Sequence, residues 1–160
     1  MPRMMGLLMV GVLAVASAAC GGDDDSATSV DEAGGGVTVP AGESGTPVAV
    51  EAGDKSDTEQ YLTVSVATVK AGPVTFTLTN KSTMGKEHEM VVLKTDTPFD
   101  QLEVGADDRV SEADSVGEIG EIKPGTTGTV TLDLAPGKYV LVCNLPKHYA
   151  QGMRVAFTVE

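Results

Sequence analysis

From residue 46 to the C-terminus the sequence alternates apolar and polar side chains with a period of two, and this alternation restricts the chain to β-structure. Leu62, Val64 and Val66 share one face, with Thr63, Ser65 and Ala67 on the other. Val74, Phe76 and Leu78 alternate with Thr75, Thr77 and Thr79, and Val130, Leu132 and Leu134 alternate with Thr131 and Asp133. Met153, Val155, Phe157 and Val159 alternate with Arg154, Ala156 and Thr158. Successive side chains of a strand point to opposite faces, so each run has a core side and a solvent side. The run 88–94 is a more continuous apolar strand, and Ala135-Pro136-Gly137 is one of the Gly/Pro turns that separate strands. The pattern predicts an all-β, antiparallel sandwich of seven to eight strands over residues 46–160, about 115 residues, long enough for a core. The interval 95–126 fits poorly and reads as a long surface loop with a short helical turn around 107–116. Its acidic part, 100–121, lacks ordered D-x-D-x-D-G spacing and reads as a solvated face, not a calcium site.

The first 45 residues follow other rules. Arg3, an apolar run over 4–16 and the small residues 16–19 ahead of Cys20 make residues 1–19 a secretory signal. The apolar run is about 13 residues, short of the roughly 20 that span a bilayer. Ser17-Ala18-Ala19-Cys20-Gly21-Gly22 resembles the lipobox of bacterial lipoproteins, with Ser17 where that family usually has Leu or another aliphatic. The resemblance implies lipidation of Cys20 and an extracytoplasmic protein anchored to the cell membrane; simple secretion is the alternative. Several acyl chains on one residue anchor stably where one alone is marginal. Residues 20–45, with Asp23, Asp24, Asp25 and Gly34-Gly35-Gly36, have almost nothing to bury and read as a disordered tether, averaging roughly 27 Å end to end.

Charge excludes one class of partner. Asp plus Glu total 23 against 11 Lys plus Arg, a net charge of −12 that loss of Arg3 with the signal takes to −13. Such a chain repels nucleic acid. Aromatics at 4% and no Trp disfavour surfaces for stacking on sugars or bases.

With two Cys and two His in the chain, each can be weighed singly. Cys143, His148 and Met153 form a C-x4-H-x4-M pattern; given the Cys, its chance occurrence in this composition is about 0.0005. Parity puts Cys143 on the face of Tyr139 and Leu141 at the end of a strand that Pro146 helps to terminate. Met153 heads the next strand on the face of Val155 and Phe157. One loop therefore presents a thiolate, an imidazole and a thioether to a single point. Taken alone, each is more often a core or surface residue than a ligand; the joint spacing favours metal. Soft sulfur with imidazole suits copper, and Cys with two His and a distant Met is the blue-copper arrangement. The second imidazole can come only from His88, at the start of the apolar strand 88–94. Met84, in the preceding turn, reads as apolar filler. No disulfide is expected, with Cys20 acylated and Cys143 coordinated.

At these residues, His88 upstream and Gly137-Lys138-Tyr139, Cys143, Pro146, His148, Gly152 and Met153 downstream, the domain 46–160 resembles a cupredoxin of the plastocyanin, auracyanin and sulfocyanin-like group. The resemblance implies a Greek-key sandwich and one type 1 copper ion. It also implies a monomeric single-electron carrier serving transient redox partners outside the cytoplasm, not an enzyme. One departure is Glu89, because many cupredoxins have Asn after the upstream His. His148 is the expected electron port, ringed by Leu145, Pro146, Tyr149 and Ala150 as a small apolar docking rim. A copper chaperone or storage lipoprotein is the alternative, although four of the 7 Met fall in the signal. A structural sandwich that merely inherited the ligands is a third reading.

Overall fold

The structure, a computed structural model, describes residues 45–160. The signal, Cys20 and nearly all of the tether lie outside the described residues. The described chain forms nine strands: β1 Thr46–Asp54, β2 Gln60–Val64, β3 Thr68–Val69, β4 Gly72–Asn80, β5 His88–Lys94, β6 Ser115–Ile122, β7 Thr127–Leu134, β8 Gly137–Val142 and β9 Arg154–Val159. They make two sheets, ordered β2-β1-β4-β7 and β3-β9-β8-β5-β6. This all-β sandwich is consistent with the expected Greek key. Two pairings, β1 with β4 and β3 with β9, are parallel, so both sheets are mixed.

The alternation in the sequence becomes the core. Val48, Val50 and Ala52 of β1, Val74, Phe76 and Leu78 of β4, and Leu132 and Leu134 of β7 are buried against Met90, Val92, Leu141 and Phe157 of the facing sheet. The Phe76 and Phe157 rings meet edge to face with centroids 5.3 Å apart. Val66, expected on the same stripe as Leu62 and Val64, lies beyond the end of β2 and is exposed.

Residues 95–126 differ from the expected loop. Residues 115–122 are β6, paired antiparallel with β5, and no helix forms over 107–116. As an edge strand β6 buries little, Ile119 being its one fully buried apolar residue, so its alternation was masked by Gly117, Gly120 and three exposed or half-exposed acids and serines. Around 107–116 the chain instead turns tightly at 105–109, with Asp108 at φ 64° and a bridge between Val104 and Val110. Residues 95–114 lie over the outer face of the second sheet. There Val91, Leu93, Val140 and Val142 are sealed by Val110, Tyr149 and Leu102, which is why 88–94 is apolar on both faces.

Candidate metal centre

Two features of the second sheet bring the site together. β5 runs antiparallel to β8 with Val91 opposite Val142, so the start of β5, His88, lies beside the end of β8, where Cys143 follows. β8 and β9 form a hairpin whose connection is the loop 143–153. The loop is closed by its own backbone: His148 N–H donates to Leu145 O at 2.9 Å, Gln151 N–H to Lys147 O at 2.9 Å, and Met153 N–H to His148 O at 3.1 Å. Lys147 adopts φ 74°, and its N–H donates to Asp108 O at 2.9 Å, tying the loop to the 105–109 turn. Gly152 is required twice over. Its φ is 111°, and a Cβ there would stand 2.7 Å from the carbonyl oxygen of Gln60.

His88, Cys143 and His148 each direct one donor atom into a cluster in which all three lie within 4.8 Å of one another. Cys143 Sγ is 3.2 Å from His148 Nδ1 and accepts the backbone N–H of Glu89 at 3.4 Å. The two imidazole rings meet at 61° with centroids 5.2 Å apart. His88, Cys143 and Met153 are fully buried, while His148 is part-exposed. Leu145 is half-buried, and Pro146 and Ala150 are exposed, beside a shallow depression that Lys86, Lys123 and Pro124 share with His148.

Tyr149 is not on that surface. It is 3% exposed, and its hydroxyl donates to Phe99 O at 2.9 Å and accepts the N–H of Leu102 at 3.0 Å. This corrects its expected place on the docking rim. Val110 and Leu102 of the 95–114 segment pack with it, the Arg154 guanidinium lies 4.9 Å from its ring centroid, and its phenol is satisfied inside the protein.

Burial favours the neutral forms of the cluster's three ionisable side chains. Burial pushes the Cys143 thiol up to about 12, against the pull of the Glu89 and Leu145 backbone amides. Burial, then the neighbouring His88 and Lys86, push His148 down to about 4. Burial also lowers His88, with Asp54 pulling the other way. Both nitrogens of His88 are buried without a hydrogen-bond partner. A buried unpartnered imidazole is costly, and a cation accepting its lone pair removes that cost. One thiolate and two imidazoles converging in an apolar rim form a donor set that fits copper.

Residues that sequence reasoning missed surround this cluster. Asn144, directly after Cys143, is buried; its side chain accepts Val110 N–H at 2.8 Å and donates to Val110 O at 2.9 Å and Glu112 at 2.6 Å. Arg109 Nη1 donates to Asn144 O at 2.9 Å and lies 4.0 Å from Glu89. At the position after His88, Glu89 therefore faces an arginine from the 95–114 segment, and burial, partly offset by Arg109, pushes its carboxyl up to about 7. Asn80 braces the turn before His88, donating to Lys86 O and to Ile122 O, each at 2.9 Å. In the sequence Glu89 is singled out as a departure, and Asn144 carries a signal in its adjacency to Cys143. The others are assembled from distant strands.

Residues 48–160 match the family model described as copper binding proteins, plastocyanin/azurin family. Among solved structures the chain is similar to the dithionite-reduced auracyanin of the photosynthetic bacterium Roseiflexus castenholzii. The identity is 27% and the TM-score 0.53, covering 74% of this chain and 99% of that one. Auracyanin B (21% identity, TM-score 0.54, covering 79% and 96%) shares the fold, as does rusticyanin from Thiobacillus ferrooxidans (19%, 0.54, 73% and 79%). No curated protein matches the chain.

Proposed function

Because the chain belongs to the plastocyanin/azurin family of copper-binding proteins, we propose that it is a membrane-tethered, one-electron carrier in which His88, Cys143, His148 and Met153 hold the metal. One type 1 copper is the cofactor that family membership and the His88–Cys143–His148 cluster support. When bound, it supplies a Cu(I)/Cu(II) couple.

The observation that carries this reading is the preformed, buried cluster. Donors that are already converged and locked by a hydrogen-bonded loop need little rearrangement between oxidation states, which is the requirement for fast electron exchange. Three fully buried donor residues also speak against a chaperone, which must release its metal to a partner. His148, with its ring part-exposed, is the electron port. Leu145, Pro146 and Ala150 provide a small rim for transient contact, the scale on which electron-transfer encounters operate. A thioether, two imidazoles and a thiolate leave no position for a substrate, consistent with a carrier and not an enzyme.

Cys20, with its preceding small residues, supplies the proposed lipid anchor, and the acidic, Gly-rich segment after it lets the domain range over the outer membrane surface. The partners are then other extracytoplasmic redox proteins, met as a monomer. Copper(II) titration followed by visible and EPR spectroscopy tests the site: an intense thiolate-to-copper band that Cys143→Ser abolishes is expected. A colourless complex with histidine-only spectra would remove the reading. Detergent-phase partitioning tests the anchor, which Cys20→Ala should release to the aqueous phase; a wild-type protein that is itself aqueous would show simple secretion.

A further inference from the structure

Asp54 closes β1, far from His88 in sequence, and its side chain is fully buried. Its two oxygens are used differently. Oδ2 accepts three hydrogen bonds, from Ser82 Oγ at 3.0 Å, Thr83 N–H at 2.9 Å and Met84 N–H at 3.1 Å. Oδ1 has no hydrogen-bond partner and lies 3.5 Å from Nε2 of His88, which is equally buried and equally without one. Two orphaned polar atoms in a dry interior, one able to donate and the other to accept, need only about 0.5 Å of approach to form an ordinary hydrogen bond.

We infer that Asp54 is the positioning residue for His88: its Oδ1 accepts Nε2–H, and Nδ1 is left as the nitrogen that faces the metal. The inference rests on the copper-ligand role proposed above for His88. A carboxylate behind a ligating imidazole fixes its tautomer and ring orientation and raises its basicity. The two imidazoles of the site then differ in kind. His88 is held from behind by a buried carboxylate that is itself pinned by three donors. His148 has only its loop behind it and a part-exposed ring.

The three hydrogen bonds accepted by Oδ2 make Asp54→Asn a selective probe. The single amide oxygen satisfies Ser82, Thr83 and Met84 best from the Oδ2 side, which turns the NH2 group toward His88 and sets donor against donor. The turn 82–84 is kept and the acceptor for His88 is lost. Glu51→Gln is the complementary control, removing an exposed carboxylate of the same strand that touches neither His88 nor the turn 82–84.

Nitrogen-15 NMR of the imidazoles, in the metal-free and Cu(I) forms, reads the contact directly. The wild-type protein is expected to show His88 as the Nε2–H tautomer with a slowly exchanging ring proton in both forms. Asp54→Asn should lose that slow exchange, bind copper roughly 10–100-fold more weakly and raise the reduction potential, because a negative charge that favours Cu(II) has gone. Glu51→Gln should leave the ring proton and the copper affinity at wild-type values. A wild-type His88 protonated on Nδ1, unchanged ring exchange in Asp54→Asn, or an equal response in Glu51→Gln would each overturn the assignment. A protein without a thiolate band would sink the copper reading instead, and the metal-free spectra would still decide the Asp54–His88 contact.

Discussion

The backbone N–H of Cys143 donates to the carbonyl of Met153 at 3.1 Å, one rung beyond Val142 and Arg154, the last paired residues of β8 and β9. The two sulfur-bearing residues are thus neighbours across the mouth of a closed loop, and both are fully buried. As the fourth of the proposed copper ligands, Met153 is expected to tune the metal more than to hold it.

Met153→Leu should retain copper and colour, with a packing cost below about 1.5 kcal/mol because the volume is similar. Its potential should rise, since a weak axial donor favours Cu(II) over Cu(I). Met153→Gln, offering an amide oxygen, should fall below wild type. Voltammetry of the three proteins checks this; equal potentials, or a Leu variant that cannot keep copper, would make Met153 either filler or an essential ligand.

Copper uptake should release close to one proton. The Cys143 thiol, pushed up to about 12, is protonated at neutral pH, and His148, pushed down to about 4, is already neutral. Calorimetry in buffers of different ionisation enthalpy should give a release that is flat between about pH 5.5 and 8. A release that climbs toward two or three as the pH drops below about 6.5 would mean that the imidazoles ionise normally.

The metal-free fold should carry two opposed pH dependences. The depressed His148 contributes stability that is full above its unfolded value of 6.5 and is lost as pH falls toward about 4. The raised Glu89 contributes stability that is full below 4.5 and is lost as pH rises through about 7. Glu89→Gln should therefore flatten the decline between pH 4.5 and 7 while leaving the acid limb intact. Urea melts across this range measure it, and a Gln variant with the wild-type profile would place the loss elsewhere.

Gly152→Ala should cost about 1–3 kcal/mol, since an L side chain there is strained at φ 111° and meets Gln60 O at 2.7 Å. Because residue 152 adjoins Met153, the variant's thiolate band should shift as well. Chemical denaturation and visible spectra report the two effects, and unchanged stability would mean that the loop relaxes around the new methyl.

Tyr149→Phe leaves the Leu102 N–H without its buried acceptor, a loss of about 1–3 kcal/mol. The copper spectrum should stay as it is, because the hydroxyl points into the 95–114 segment. Faster hydrogen exchange confined to 99–102 would confirm that clamp, whereas a changed rate with redox partners at equal stability would return Tyr149 to the docking surface.

Several of these residues mark the boundary of what a linear reading reaches. Cys143, His148 and Met153 sit in one hairpin loop, so their spacing announced a common site before any coordinates. His88 was reached by counting, as the other imidazole in the chain. Glu89 was legible as a departure, but its partner Arg109 was not, because the turn that delivers Arg109 lies in a segment read as an acidic surface loop with a short helical turn. Tyr149 was misplaced for the same reason: its neighbours in sequence are exposed or half-exposed, and its cover comes from residues 99–110 and from Arg154 of β9.

Alternation with a period of two and a single hairpin loop are local properties, so the sequence by itself determined that the chain makes a sandwich and that sulfur and imidazole meet at one end of a hairpin. Register between strands is not local. Only the tertiary structure decided that β5 starts beside the end of β8, that β6 forms an edge, and that Asp54 at the end of β1 stands 3.5 Å behind His88. These contacts join residues tens of positions apart, and their partners are chosen by how two twisted sheets bury their common face, a selection that leaves no periodic trace in the chain.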